Sequence, residues 1–317
     1  MKKIRGAVLL VITAIIWGGA FVAQEVGLEN IGPFTFTALR FFMGGIALLI
    51  ITAIVDFFKI KKGIIIREKA TYKSKLKYTL IGGVCCGIAL CIGSNLQQIG
   101  MVYTTAGKSA FISAFYIVIV PIVGLIFKRK CGIEVYVAVI IALVGLYLLC
   151  VSEGITEINK GDWITLISAI VYAFHILTVD KALERSDGLK ISTLQCFTCG
   201  IISIIFALIF EDISIEKIGA AIVPLLYAGV VSGGIAYTLQ ILGQRDLEPT
   251  VASLIMSLES VAGALSAFLI INQKMTTQEI IGCVVMFVAI ILAQIPIKEL
   301  ILKRKNQSVI TQSNGKS

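Results

Sequence analysis

The chain has 317 residues, 57 % of them hydrophobic and only 15 % charged, with a net charge of +9 and a mean hydropathy of +0.95. A water-soluble domain cannot cover that much apolar surface, so a soluble enzyme or a nucleic-acid-binding domain is excluded. The apolar runs are continuous rather than alternating, which reads as an all-α integral membrane protein and not as a β-barrel.

A run of about 20 apolar residues crosses the hydrocarbon core as a helix, and ten such runs are predicted. The first, 5–24, follows a basic start; read instead as a signal peptide, it would leave nine spans after cleavage. The second, 33–57, carries Arg40 about 10 Å below its outer end at 1.5 Å per residue. The third, 77–99, holds Asn95, Gln97, three cysteines (Cys85, Cys86, Cys91) and the close-packing pattern Gly83-x-x-x-Gly87. The fourth, 105–127, opens at "TTAGKS" (104–109), which ends like a nucleotide-binding loop. The first glycine of such a loop is missing, because position 102 is Val102, and an apolar run precedes it in place of a strand. The stretch therefore reads as a helix start, with Thr104 or Thr105 as cap and Lys108 in the first turn. Ser113, Tyr116 and Pro121 follow on the same span.

The fifth span is 133–151. The sixth, 162–180, carries Tyr172 and His175, the single histidine of the chain. The seventh, 191–210, carries Gln195 and the pair Cys196 and Cys199. Redox or metal chemistry needs further ligands, so the cysteines read as small apolar packing residues. The eighth, 218–242, holds Pro224, Gly229-x-x-x-Gly233, Tyr237 and Gln240, and the ninth, 250–271, places Glu259 near its middle. The tenth is 277–297, and the polar tail 300–317 reads as disordered.

With the N-terminus placed inside, 23 of the 28 lysines and arginines fall in inside segments and three (Lys160, Lys217, Lys274) outside. That is the positive-inside pattern, and it puts both termini in the cytoplasm. The basic balance then reflects topology and anionic lipid rather than nucleic acid.

The chain also resembles itself. At an offset of 155, residues 13–45 lie on 168–200 without a gap: Ala14 meets Ala169, Leu39 meets Leu194, Phe42 meets Phe197 and Gly45 meets Gly200. At an offset of 143, "LQQIG" (96–100) lies on "LQILG" (239–243). Five spans followed by five give two halves, 1–152 and 153–299, and an odd-numbered repeat must have inverted topology. Such a repeat points to a carrier with its site near the midplane.

"WGGAFVAQEVGLENIGPFTFTALRFFMGG" resembles the opening of the EamA family in the drug/metabolite transporter superfamily. "LQQIGMVYTTAGKSAFISAFYIVIVPIVGLIF" looks like that family's third-to-fourth-helix segment. The resemblance spans roughly 5–297. It departs at 128–130 ("KRK") and 272–274 ("NQK"), where the family often carries a glutamate. It implies ten helices around a central cavity and a secondary transporter of the bacterial inner membrane, with export of an amino acid or related compound as the expected activity.

An ionisable side chain at membrane depth is costly and tends to face protein or water. Arg40 can grip a carboxylate through two parallel hydrogen bonds, or pair with Glu25 or a backbone carbonyl. Lys108 either reaches the interface or points into the outer mouth of the cavity. Glu259 is a candidate to carry a proton, or a hydrogen-bonded helix contact. His175 is a proton switch or a packing residue. The expected lining adds Trp17, Asn95, Gln97, Ser113, Tyr116, Tyr172, Gln195, Tyr237 and Gln240, among which Gln97/Gln240, Tyr116/Glu259 and Arg40/Gln195 are repeat mates. The expected partners are the bilayer and a small-molecule substrate, without nucleotide, nucleic acid or cofactor; whether the chain forms a homo-oligomer is open. A channel or sensory scaffold is the rival reading. An intramembrane enzyme would need a convergent catalytic set that the motifs do not supply.

Overall fold

A computed structural model describes residues 2–61, 69–104, 106–126, 132–150, 159–270 and 276–294. Among these residues the structure is almost wholly helical and contains no strand. With no water in hydrocarbon to satisfy the backbone, helices close their own hydrogen bonds. The tail 300–317 and the stretches 128–130 and 272–274 lie outside the described residues.

The helices are α1 (Lys2–Leu28), α2 (Pro33–Lys61), α3 (Lys69–Met101), α4 (Ala106–Ser113), α5 (Tyr116–Ile126), α6 (Ile133–Cys150), α7 (Lys160–Leu183) and α8 (Gly188–Phe210). Then come α9 (Ile215–Ala220), α10 (Ile222–Leu226), a π-helical stretch Tyr227–Ala236, α11 (Tyr237–Gln244), α12 (Pro249–Met256), α13 (Leu258–Ile270) and α14 (Thr277–Gln294). Among the described residues eight segments are long and apolar enough to cross a membrane. The regions expected as the fifth and tenth spans form shorter apolar helices, 133–148 and 277–293. The predicted first span, 5–24, is the body of α1, whose Leu10 and Ala14 sit fully buried in the core.

Local signals set the ends. Asn159 and Asp162 exchange side-chain and backbone hydrogen bonds at 3.0 Å in both directions, a capping box that starts α7. Asp187 caps α8 and Pro249 opens α12. Thr104, a predicted cap of α4, donates its hydroxyl to Asp162 at 2.6 Å; Thr105 lies outside the described residues. Along α2, Ile46, Leu49, Ile50 and Ile54 are exposed at spacings of three and four, as are Val84, Ile88 and Ile92 on α3. These apolar stripes are where lipid lies against the bundle.

α2 packs on α8, α6 on α14, α3 on α7, and α1 on α11 and the π stretch. The contacts at these interfaces recur at the two sequence offsets. Thr13 donates to the carbonyl of Ala236 at 3.3 Å; Ser168, 155 residues after Thr13, donates to Gly93, 143 residues before Ala236, at 2.8 Å. Gly100 closes on α7 so tightly that a Cβ there would lie 3.1 Å from the Gly161 carbonyl, and Gly243 closes on α1 with 3.0 Å to the carbonyl of Gly6. On α2 and α8, a Cβ at Gly45 would lie 3.2 Å from Phe197 and one at Gly200 would lie 3.2 Å from Phe42.

The helix ends follow the same rule. Glu211 accepts from the backbone amides of Phe34 and Thr35 at 2.7 and 2.8 Å; Asp56, its mate at 155, pairs with Lys190 at 2.8 Å. Arg5 pairs with Asp246 at 2.7 Å, while Lys160, the mate of Arg5, sits 4.9 Å from the ring of Tyr103, the mate of Asp246. The bundle thus has two ends, one holding Arg5, Asp56, Lys190 and Asp246, the other Thr35, Tyr103, Lys160 and Glu211.

Candidate functional site: a polar cavity inside the bundle

Two interrupted helices build the centre of the site. α4 and α5 are separated by a turn at Ala114 and Phe115, and α12 and α13 by a turn at Ser257. Ala114 and Ser257 are mates at offset 143. Each turn tightens to three-residue hydrogen bonds, Ile117 N to Ala114 O at 3.0 Å and Ser260 N to Ser257 O at 3.2 Å. The Ser257 hydroxyl donates to the Leu254 carbonyl at 2.7 Å, which helps satisfy the turn. Irregular backbone at this depth is tolerated where it is buried in protein or lines a cavity. Tyr116 and Glu259 emerge just after the two turns, and the Tyr116 hydroxyl donates to Glu259 Oε1 at 3.0 Å.

Around this pair lies a cavity of about 40 Å³. α1 contributes Trp17, Ala20, Phe21 and Gln24; α2 contributes Arg40; α3 contributes Gln97; α7 contributes Tyr172, His175 and Ile176. Ser232 of the π stretch, Tyr237 and Gln240 of α11, and Met256 of α12 complete it with Tyr116 and Glu259. Nine of the residues proposed from sequence therefore converge: Trp17, Arg40, Gln97, Tyr116, Tyr172, His175, Tyr237, Gln240 and Glu259. A single water needs about 10–15 Å³ of such space, so the cavity has room for water. A metabolite needs a more open form of the same cavity.

Arg40 is 4 % exposed, and its Nη1 donates to Gln24 Oε1 at 2.7 Å. The guanidinium lies 4.8 Å from the centroid of Phe41 and 5.9 Å from that of Phe36, while Nε has no hydrogen-bond partner. Among the described residues no carboxylate lies within ion-pair distance of it. Glu25, the partner weighed from sequence, is exposed; it lies about 100° around α1 from Gln24. The π stretch sets the backbone of Arg40: a Cβ at Gly229 would lie 2.9 Å from the Arg40 carbonyl, and one at Gly233 3.2 Å.

The aromatic wall is cross-linked. Tyr172 donates to Gln97 Oε1 at 3.3 Å and shares a hydrogen bond with Ser94 at 3.1 Å; Gln97 Nε2 donates to Ser113 Oγ at 2.9 Å. The centroids of Trp17 and Tyr237 are 4.9 Å apart and tilted. His175, 1 % exposed, meets Gln195 Oε1 through Nε2 at 3.1 Å; with that oxygen accepting, the ring hydrogen is on Nε2.

Three expected lining residues, Asn95, Ser113 and Gln195, stand outside the lining, Ser113 behind Gln97. Asn95 donates to Ser203 Oγ at 2.8 Å and to the Cys91 carbonyl at 2.9 Å, in the α3–α8 interface. It lies two positions from Gln97, about 200° around the helix, so the two cannot face one cavity. Gln195 supports His175 from behind. The side chain of Lys108, on α4, lies outside the described residues. Sequence reasoning missed Gln24, Ser232 and Met256. Gln24 carried a signal, a polar side chain inside an apolar run. Cys196 Sγ donates to the Gly233 carbonyl at 3.3 Å, and among the described residues no group of His, Cys, Asp or Glu has metal-site geometry.

A bundle of apolar helices enclosing a polar cavity defines a multi-pass membrane protein, and its relatives place it among transporters. The model of the EamA-like transporter family matches it twice, over residues 4–151 and 159–294. The chain belongs to the EamA-like transporter family. It is 26 % identical over 296 residues to an uncharacterized transporter of Archaeoglobus fulgidus, covering 93 % of this chain and 87 % of that one. It is 21 % identical to the uncharacterized transporter YoaV of Bacillus subtilis (86 % and 91 % covered) and 24 % identical to the protein PagO of Salmonella typhimurium (74 % of each). A solved crystal structure aligns over 91 % of this chain and 98 % of its own with a TM-score of 0.71 at 15 % identity, a likeness of fold alone.

Proposed function

We propose that the protein is a secondary transporter that moves a small organic metabolite by alternating access through this cavity. In this reading ten spans form two five-helix repeats of inverted topology, 1–152 and 153–299, and α6 and α14 are the fifth and tenth spans. The observation that carries it is the bond between Tyr116 and Glu259 at 3.0 Å. They are mates at offset 143, so a pseudo-two-fold axis in the membrane plane passes between them, and two mates that touch mark that axis. The reciprocal contacts of α1, α3, α7 and α11 around the cavity support the same axis. Two halves related in this way give two shapes of similar energy, one open to each side. The two family matches, one per half, also support the repeat.

Export of an amino acid or a related compound from the cytoplasm, across a bacterial inner membrane with both termini inside, is the activity and setting we assign. The family resemblance and the charge asymmetry support it. Arg40 and Glu259 are the two ionisable side chains we place in solute and proton handling, with Gln97, Tyr172, Tyr237 and Gln240 as neutral contacts. Energy comes from a solute or ion gradient. The purified protein in liposomes loaded with a candidate metabolite should show saturable uptake of the labelled compound, accelerated by the trapped counter-substrate. Flux that rises linearly with concentration and ignores the trapped solute would make it a channel instead.

A further inference from the structure

We infer that Gln24 holds the Arg40 guanidinium in place without neutralising it, so the group accepted beside Arg40 is a carboxylate. The inference rests on the reading of the cavity as a solute site and names which solutes it takes.

A buried cation is retained in an apolar interior when something compensates its lost hydration. For Arg40 the partners in the structure are all neutral: the amide oxygen of Gln24 at 2.7 Å and the faces of Phe41 and Phe36. The hydrogen bond and the ring contacts orient the charge but do not cancel it. Gln24 is itself held at both ends. It is 3 % exposed, and its Nε2 donates to the Ala20 carbonyl at 3.1 Å, one turn earlier on α1, which leaves Oε1 facing the guanidinium.

A glutamate of nearly the same shape at position 24 would fill the ion-pair position and close the charge. The chain instead has its glutamate one residue later, at Glu25, on an exposed face. The other groups lining the cavity near the aromatic wall, Gln97, Tyr172, Tyr237 and Gln240, bring hydrogen-bonding atoms without formal charge. Glu259, the one lining carboxylate among the described residues, is engaged by Tyr116. A planar fork with an open charge in such a lining matches a carboxylate, which takes charge-assisted hydrogen bonds.

The test uses the full chain in detergent and has two arms. Gln24→Glu should raise the thermal midpoint of the ligand-free protein, and the same change in an Arg40→Gln background should lower it. An equal effect of Gln24→Glu in both backgrounds means that the charge of Arg40 is already compensated, and the inference falls. The second arm measures thermal stabilisation by matched acids and amides: acetate with acetamide, benzoate with benzamide, L-phenylalanine with its amide. In the wild type at least one acid should stabilise more than its amide. Gln24→Glu should weaken that acid by about tenfold or more, the worth of one charge-assisted hydrogen bond. Gln24→Leu should keep the acid-over-amide order at reduced affinity. Amides as good as acids, or no acid that stabilises the wild type, would overturn it.

Should Gln24→Glu fail to yield protein, the acid–amide comparison of wild type with Arg40→Gln decides. Saturable exchange in liposomes without acid preference would sink this inference and leave the transporter reading; acid binding without saturable flux would do the reverse.

Discussion

Glu211 closes one end of the α2–α8 pair, and its removal should cost more than any other change at the bundle ends. Its carboxylate accepts three hydrogen bonds from the start of α2: Phe34 N at 2.7 Å, Thr35 N at 2.8 Å and Thr35 Oγ1 at 2.6 Å. The two amides belong to the first turn, where no earlier helical carbonyl can serve them. A hydrogen bond to a charged group contributes about 1.5–3 kcal/mol, and the negative charge at a helix N-terminus adds about 0.3–1 kcal/mol. The site is part-buried, so water replaces some of this in the alanine variant, and the net loss for Glu211→Ala should be about 3 kcal/mol. Glu211→Gln keeps one acceptor oxygen but turns an NH₂ toward donors, so it should recover less than half.

The repeat supplies the control. Asp56, the mate of Glu211, meets Lys190 at 2.8 Å, with side chains 29 % and 35 % exposed. A pair that wet is worth about 1 kcal/mol or less. In thermal denaturation followed by the fraction remaining native on size-exclusion, Glu211→Ala should lose about 5 °C and Asp56→Ala about 1 °C. Equal losses would show that buried hydrogen bonds to the helix start do not dominate, and the reasoning would fail.

Glu259→Gln keeps an oxygen for the Tyr116 hydroxyl, so the protein should fold and still exchange solute while losing uphill transport driven by a pH gradient; wild-type accumulation by this variant would make Glu259 a packing residue. Gly229→Ala places a Cβ 2.8 Å from Met43 Cβ and 2.9 Å from the Arg40 carbonyl. It should cost about 1–3 kcal/mol as overpacking and weaken carboxylate binding through Arg40, whereas Gly219→Ala, with nothing within 4 Å, should be neutral in both assays. A reporter fused after Ser317 should be active only in a form that works in the cytoplasm, as the 23-to-3 charge split requires; activity specific to the outside would reverse the topology.

Membrane residence, helical class and the positions of most crossings were determined by the sequence alone, because hydrocarbon permits so few backbone solutions that apolar length decides. Arg40 and Glu259 were legible for the same reason: a charge within an apolar run is expensive enough to stand out in one dimension. The offset of 143 pairs Tyr116 with Glu259 in the sequence itself. Rotation about each helix axis was not legible. Asn95 and Gln97 look equivalent in sequence, yet two positions are about 200° of turn, and packing of α3 on α7 and α8 decided that Gln97 meets Tyr172 while Asn95 meets Ser203. The partner of Arg40 was decided the same way. Glu25 is the charged partner weighed from sequence, but the crossing of α1 and α2 turns Gln24 toward the guanidinium. An uncharged amide costs little to place inside a helix and so leaves a weak trace in composition, and only the tertiary packing shows that it stands where a counter-ion would.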